Sequence, residues 1–317
     1  MKLIIQIPCY NEADTLAVAL AELPREVPGF DSVEWLVVDD GSTDNTVEVA
    51  RANGVDHIVC HHTNLGLART FMTGLSASLA LGADVIVNTD ADNQYCAADI
   101  PSLVAPILQG KAQYVIGTRP ISKIEHFSPV KKGLQKFGSF VVRKISGTGV
   151  EDAPSGFRAL SAEAAMCMNV FNRYTYTLET IIQAGYKNIP IECVPVRVNA
   201  DLRPSRLVKS IPCYIQRSIF TMIRIFVVYQ PFKFFFSFGV LFFLVGFLIG
   251  CRFLWAWIEG VGRGMMQSLI LAAVLMLIGV ILGMMAFMAD LLSVNRQLLE
   301  DIQYRQRKQF FSRERNL

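Results

Sequence analysis

Seven cysteines are scattered over 317 residues, and no two of them form a CxxC pair. That scatter excludes a zinc ribbon or a thioredoxin-type redox site and reads as reduced packing residues in a cytoplasmic domain. The GxxxxGK[ST] phosphate loop is missing, as are HExxH and GxSxG, so kinase, zinc-protease and serine-hydrolase chemistry have no motif to rest on. The one run of alternating glycines, Gly260–Gly264, lies between two apolar segments and does not follow a strand, so it is no dinucleotide fingerprint. An excess of one charge is also lacking. Thirty basic residues stand against 27 acidic ones, a net charge of +3 that suggests no nucleic-acid partner. The first residues, MKLIIQIPCYNE, have neither the long apolar run nor the small-residue cleavage site of a secretory signal. There is no low-complexity tract and no internal repeat.

What is present is apolar and unevenly spread. Hydrophobic residues make up 52% of the chain and charged residues 18%. The excess lies after Pro231, where Phe234–Cys251 and Met265–Ala289 carry no charge. Each is close to the ~20 residues that cross a bilayer, given a snorkelling Lys233 and an interfacial Arg252–Ile258. Arg203, Arg206, Lys209, Arg217, Arg224 and Lys233 precede the first run. Arg296, Arg305, Arg307, Lys308, Arg313 and Arg315 follow the second. By the positive-inside rule both ends face the cytoplasm and the hairpin loop faces outward, with Trp255 and Trp257 in the outer aromatic belt. The expected organisation is a cytoplasmic domain over 1–203, amphipathic interfacial helices over 204–230, a transmembrane hairpin over 231–294 (about 232–258 and 266–292) and a basic cytoplasmic tail over 295–317. Both spans contain GxxxG, at Gly246/Gly250 and Gly279/Gly283, which suits packing within the hairpin or a homo-oligomer contact through the spans and tail.

Before Pro231, short β-branched runs alternate with helical patterns. Leu3–Ile7, Val33–Val38, Asp56–Cys60, Asp84–Val87 and Gln113–Ile116 read as strands. Ala13–Leu23, Thr43–Ala52, Leu65–Leu81 and Ala97–Leu108 read as helices. The order βαβα implies an α/β fold with a mostly parallel sheet and helices on both faces. A basic helix is expected over Lys131–Lys144, then a loop entering a strand at "SGFRAL", two more helical patterns and a last strand within Ile189–Val198.

Ligands bind such sheets beyond the carboxyl ends of the strands, and that is where the polar clusters fall: PCYNE, DDGSTD, TDADNQ and GTR. In TDADNQ, an EF-hand would need Gly where Tyr95 stands and Glu where Pro101 stands, so that reading fails. Asp90, Asp92 and Gln94 offer hard oxygen ligands on one short loop, suited to Mg²⁺ or Mn²⁺ that shares its shell with phosphate oxygens. A polar turn with a helix cap at Asn93 or Asp99 is the alternative. Asp39, at a strand end, is placed to accept an N–H from a nucleobase. Gly41 allows a tight turn, with Ser42, Thr43 or Asp44 capping the next helix. His61–His62 reads as a strand-end feature, and the same stretch offers Asn64 and Arg69.

Taken together, IPCYNE, VVDDGSTD, TDADNQ and GTR, in this order, resemble the family 2 glycosyltransferases with the GT-A nucleotide-sugar fold. SGFRAL and RPSRL followed by two spans are similar to the branch that loads sugars onto polyprenyl phosphates, which includes dolichol-phosphate mannose synthases and bacterial undecaprenyl-phosphate glycosyltransferases. The resemblance covers Leu3 to about Leu292. It implies an inverting, metal-dependent transferase of the inner membrane that uses a UDP- or GDP-sugar. Pro8, Tyr10, Glu12, Asp39, Gly41, Asn64, Arg69 and Asp90 would hold the donor. Asp90, Asp92 and Gln94 would hold the metal. Asp92, Arg119, Asp152 and Arg158 would lie at the reaction centre, and Arg119, Lys132, Ser139, Arg203 and Arg206 would meet lipid phosphate. Two departures stand out: Asn93 occupies a position where the branch often has Gly or Leu, and the dolichol-type GxSK motif reads RPSR here. Processive polysaccharide synthases share the early motifs but carry QxxRW, and none of Trp35, Trp255 and Trp257 follows an Arg. Transfer to another lipid such as diacylglycerol, and a non-catalytic nucleotide-sugar-binding subunit, are the competing functions. The intact Asp90/Asp92 pair speaks against the second.

Overall fold

The computed structural model describes residues 1–120, 129–170, 175–199, 220, 223–224, 226–260, 264 and 266–314, without the side chains of 129–137 and 312–314. The chain divides into two units, one of Met1–Ile219 with Ile302–Leu317 and one of Phe220–Asp301.

The first unit holds seven strands: β1 (Lys2–Cys9), β2 (Ser32–Asp39), β3 (His57–Cys60), β4 (Val85–Asn88), β5 (Tyr114–Thr118), β6 (Arg158–Ser161) and β7 (Ile191–Pro195). They lie in the order β3-β2-β1-β4-β6-β5-β7. The pairs β1–β2, β1–β4, β2–β3 and β5–β7 are parallel, and β6 is antiparallel to both β4 and β5. This is the mostly parallel sheet the alternation implies, with one reversed strand inserted. The insertion has a consequence. Reversing once from β4 to β6 and again from β6 to β5 leaves β4 and β5 running the same way, so their carboxyl ends share an edge. The loop before β6 reaches that same edge, because β6 starts there.

β1 is buried along almost its whole length, as a central parallel strand covered on both faces must be. Its one amide, Gln6, is registered opposite Asn88 of β4, and Nε2 donates to Asn88 Oδ1 at 2.9 Å. The helices are α1 (Ala13–Glu22), α2 (Thr46–Ala52), α3 (Leu67–Ala80), α4 (Ile100–Leu108), α5 (Pro129–Ser146), α6 (Ala162–Cys167) and α7 (Thr177–Tyr186). Helix α3 packs Phe71, Leu75 and Ser78 inward, and Gly74 is the contact that lets it approach: a Cβ there would stand 2.5 Å from Gln6 Oε1. Helix α2 starts three residues later than expected, and Asp44 joins its first residue to α1. Its carboxylate accepts Thr46 N–H at 3.1 Å and Ala13 N–H at 3.2 Å. Asp99 does not cap α4 with its side chain. It accepts the backbone N–H and the guanidinium of Arg197 instead, at 2.7 to 3.0 Å.

The second unit is a hairpin of α8 (Pro231–Ile258) and α9 (Met266–Glu314), both long and apolar enough to cross a membrane. Helix α9 continues from the apolar run into the basic tail without a break, and its last turns from Ile302 belong to the first unit. The hairpin seam is made of small residues spaced by seven: Gly239 and Gly246 on one side, Ala272, Gly279 and Ala286 on the other. A Cβ on Gly279 would lie 2.8 Å from Gly239 O, and one on Gly246 would lie 2.9 Å from Ala272 O. One glycine of each GxxxG is therefore consumed inside the hairpin, while Gly283 has open space where its Cβ would be. Large apolar side chains such as Leu248, Leu277 and Leu292 point outward. Of the interfacial stretch expected before Tyr229, residues 220, 223–224 and 226–229 are helical, and the rest lies outside the described residues.

Candidate active site

The ends of β1 and β2 are laced together first. Asn11 N–H donates to Ser42 Oγ at 2.8 Å, Asn11 Oδ1 accepts Thr43 N–H at 2.8 Å, and Glu12 N–H donates to Thr46 Oγ1 at 2.9 Å. Asp39 is 3% exposed. Its Oδ2 accepts Ser42 N–H at 3.0 Å, while Oδ1 is enclosed and has no partner. A buried carboxylate oxygen with no donor is costly unless a ligand supplies one. Gly41 is required twice over: its φ is +72°, and a Cβ would stand 2.8 Å from the Thr63 carbonyl carbon. That contact presses the Thr63–Asn64 segment against the turn after β2. Pro8 is buried at the end of β1, and Tyr10 is exposed beside it.

Asp90 and Asp92 follow β4, with Asn93 between the dyad and Gln94. Asn93 has φ +56°, the left-handed region where glycine is easiest and asparagine is tolerated. At this angle Asn is among the few non-glycine residues that the turn accepts readily. The turn aims Asp92 Oδ1 at Gln94 N–H, 3.2 Å away. Asp90 lies over the loop before β6, where a Cβ on Gly156 would stand 2.9 Å from Asp90 Oδ2. That loop is held from below by Tyr95, whose hydroxyl accepts Gly156 N–H at 2.9 Å, and by Asn88, whose Nδ2 donates to Gly156 O at 2.9 Å. Loss of water and the neighbouring Asp92 push the Asp90 carboxyl up to about 7, against the pull of Arg119 and Arg158. A buried carboxyl whose ionisation a neighbouring carboxylate opposes is a fitting place for a hard divalent cation. Among the described residues no third His, Cys, Asp or Glu joins them, so such a cation would take its other oxygens from Gln94, water and a bound phosphate. Cys9, at the end of β1, feels Glu12, Asp39, Asp44 and Asp90 together. Burial and these carboxylates push its thiol well above the ordinary range, which makes it a protonated packing residue.

Arg119 follows β5 and is 8% exposed. Its Nε donates to Asp152 Oδ2 at 2.7 Å, its Nη2 to Oδ1 at 3.0 Å, and its backbone N–H to Oδ2 at 3.2 Å. Burial works against its charge, but Tyr95, Asp152 and Asp90 outweigh that and hold its pKa above the ordinary arginine value. Asp152 is wholly buried. Arg158, at the start of β6, is also wholly buried, and its guanidinium donates to Ser155 O, Ala153 O, Thr177 O, Thr180 Oγ1 and Tyr114 Oη. Arg158, expected to flank the reaction centre, thus braces the 153–157 loop. Ser139, expected at a lipid phosphate, is 2% exposed and its Oγ accepts Ala153 N–H at 3.2 Å, so it too braces that loop. Arg69 lies exposed on α3 and lines a separate cavity with Arg307. Arg203, Arg206 and the Lys132 side chain fall outside the described residues.

Sequence reasoning missed Asp40. Its carboxylate accepts Leu65 N–H at 2.9 Å and Gly66 N–H at 2.8 Å, and lies 2.8 Å from His61 Nδ1. His61 Nε2 is in turn 3.0 Å from Thr73 Oγ1. The signal was available: an acid directly after β2 and a histidine directly after its parallel neighbour β3 are brought side by side by the register.

The chain matches Glycosyl transferase family 2 over residues 4–168, just over half its length. It is 30% identical over 213 residues to a UDP-N-acetylglucosamine–dolichyl-phosphate N-acetylglucosaminyltransferase of Methanococcus voltae, covering 60% of this chain and 83% of that one. It is also 30% identical over 176 residues to an undecaprenyl-phosphate mannosyltransferase of Micrococcus luteus, covering 54% and 70%. In fold it is similar to glucosyl-3-phosphoglycerate synthase of Mycobacterium tuberculosis, solved with Mn²⁺, UDP and glucosyl-3-phosphoglycerate. The TM-score is 0.54 at 20% identity, over 70% of this chain and 79% of that one.

Proposed function

The chain belongs to glycosyl transferase family 2, and from that premise we propose that it transfers one sugar, with inversion, from a nucleotide-sugar to a polyprenyl phosphate at the cytoplasmic face of a membrane. The observation that carries this is the convergence on one sheet edge of an unpartnered Asp39 oxygen, the Asp90/Asp92 dyad and the Arg119–Asp152 pair. Relatives that act on dolichyl and undecaprenyl phosphates support the acceptor class, and the apolar hairpin supports a bilayer-bound one.

Asp39 Oδ1 accepts an N–H from the nucleobase, while Pro8, Tyr10 and the Gly41 turn shape its slot. Mg²⁺ or Mn²⁺ held by Asp90, Asp92 and Gln94 would neutralise the charge that grows on the leaving diphosphate. Arg119 presents its guanidinium edge to phosphate oxygens, and Asp152 fixes its plane. The acceptor phosphate has a second pKa near 6 and is mostly a dianion at neutral pH, so its oxygen attacks the anomeric carbon without a base. The bond to the diphosphate breaks as the new bond forms on the opposite face, which inverts the configuration. Asp152 has both oxygens engaged by Arg119; its role is to orient, not to take a proton. The basic residues before the hairpin, Arg203 and Arg206 among them, meet the lipid phosphate at the interface. Both termini lie in the cytoplasm by the charge distribution around the hairpin.

The test is a donor screen with purified protein, Mg²⁺ or Mn²⁺, and either undecaprenyl phosphate or diacylglycerol as acceptor, read by the mass of the lipid product. Sugar on undecaprenyl phosphate alone is the expected result. Sugar on diacylglycerol alone, or donor binding with no transfer, overturns the reading.

A further inference from the structure

On the outer face of α3, the side turned away from the sheet, lies a cavity of about 600 Å³ shared with Asn169–Val170 and the last turns of α9. Such a volume suits a small molecule. Of the residues expected to hold the donor, only Arg69 lines it. Its polar wall includes Arg69, Arg307, Asn169 and Gln303 beside the hydroxyls of Thr73 and Ser76, with no acidic residue among the described residues, and its apolar wall includes Phe310 and Phe311, whose rings meet edge to face at 5.3 Å.

Three features show a built site and not a gap. Asn169 is only 6% exposed, and its backbone is fixed by Gln183: Oε1 accepts Asn169 N–H at 2.8 Å and Nε2 donates to Asn169 O. Its own amide lines the cavity and has no partner among the described residues. Arg307 spends Nη1 on the carbonyls of Met166 and Met168, at 3.1 and 2.8 Å, which leaves Nε and Nη2 without a partner among the described residues. Burial lowers the Arg307 pKa, because its charge is stripped of water and no carboxylate has replaced it. The Arg69 side chain makes no ion pair or hydrogen bond among the described residues and adds a second guanidinium. Two guanidinium forks and two amide donors around one space match a tetrahedral anion with several oxygens.

We propose that this cavity is a second binding site, for a phosphate group that meets Arg69, Arg307, Asn169 and Gln303, with Phe310 and Phe311 beside it to take any apolar body the ligand carries. Two sources carry that chemistry, an anionic phospholipid and a free phosphate.

The test uses the full-length protein in maltoside detergent. It is titrated with dihexanoylphosphatidylglycerol, dihexanoylphosphatidylcholine or inorganic phosphate, and bound ligand is counted by native mass spectrometry. Phosphatidylglycerol should bind about tenfold more tightly than the zwitterion, and N169D or Q303E, each adding a like charge to the cavity, should weaken it about tenfold. Gln303 is exposed on a helix, so Q303E leaves the fold standing, and a thermal melt checks that N169D, at a buried position, is folded. R307Q should weaken binding in the same way. Inorganic phosphate binding as tightly as phosphatidylglycerol assigns the site to a free phosphate; weaker phosphate binding assigns it to lipid. Equal binding of the two lipids, or wild-type affinity in both N169D and Q303E, overturns the proposal.

Discussion

Arg119 and Asp152 form a two-pronged ion pair sealed from solvent, with both carboxylate oxygens committed to one guanidinium. The consequence is a division of labour that the sequence left open. A carboxylate used in this way orients its partner. Asp152→Asn keeps the shape and half of the hydrogen bonding, so it should lower kcat by about 100-fold through a misaligned Arg119, with the donor KM little changed. Asp152→Ala leaves a buried guanidinium unpaired and should cost about 3–5 kcal/mol of stability. The deciding measurement is the pH dependence of kcat. The same acidic limb in wild type and Asp152→Asn is expected; a limb that disappears in the variant would make Asp152 a base after all.

In the proposed mechanism Asp92 is the residue with no substitute. It is partly exposed, makes one bond to the turn through Gln94 N–H, and supports no core contact comparable to that of Arg158. Asp92→Ala should therefore abolish transfer while the thermal unfolding midpoint stays near wild type, a loss of roughly 1 kcal/mol or less. A folded Asp92→Ala protein with near-normal turnover would sink the metal mechanism.

In the proposed mechanism Asp90 would tie metal binding to pH. Its carboxyl stands at about 7, above the ordinary 3.8. Between those values the metal-free folded chain holds a proton that the unfolded chain releases. Stability from this group is therefore complete below the ordinary value and is lost as pH rises through about 7, by a few kcal/mol. Glu34, Asp56 and Asp99 are shifted downward by their partners and act in the opposite sense, losing stability only as pH falls below the ordinary carboxylate range. Melting in chelator should thus show a decline from about pH 5 to about pH 7.5. Mn²⁺ should restore more at the upper end than at the lower, because binding must displace the proton. A metal-free chain whose melting point is flat or rising over that window would contradict this account.

The legible part of the fold and site follows from period and position. Parallel strands buried on both faces write themselves as short apolar runs, and polar clusters at their ends mark the binding edge. The dyad, Asp39 and Arg119 could be placed that way, since each lies at or just past the end of a strand. What could not be read depends on contacts distant in sequence. Arg158 looks like an active-site arginine, but the hydroxyls and carbonyls that enclose it come from β5, α7 and the 153–157 loop. Ser139 reaches Ala153 across a loop, and Asp40 finds His61 only through the β2–β3 register. The reversed strand β6 is four residues long, too short for its direction to be read from a pattern. The positive φ at Asn93 likewise belongs to the folded turn and leaves no periodic signal in the sequence.

Arg203 and Arg206 can be separated from the donor site by kinetics. If they meet the lipid phosphate, changing both to Ala should raise the polyprenyl-phosphate KM by about tenfold or more while nucleotide affinity stays close to wild type. Equal losses in both would argue that the pair belongs to the donor diphosphate. Nucleotide affinity is best read without the acceptor present, so that the two effects cannot mix.

The hairpin glycines offer a test that distinguishes packing within one chain from packing between chains. A methyl group on Gly279 would stand 2.8 Å from both the Gly239 carbonyl oxygen and the Phe243 nitrogen, which are backbone atoms that cannot move aside independently. A methyl group on Gly283, one helical turn along, would meet nothing within 4 Å. The two positions have the same residue, the same helix and nearly the same depth, so propensity and hydrophobicity cancel between them. Gly279→Ala should force the helices apart and lower stability by about 1–3 kcal/mol, and Gly283→Ala should stay within about 0.5 kcal/mol of wild type. Thermal melting in detergent reads the first difference, and sizing by light scattering reads the second. If Gly283→Ala leaves melting unchanged but alters the oligomeric size, the free glycine of the motif mediates contact between copies. If Gly279→Ala is neutral, the seam between α8 and α9 is looser than the geometry requires.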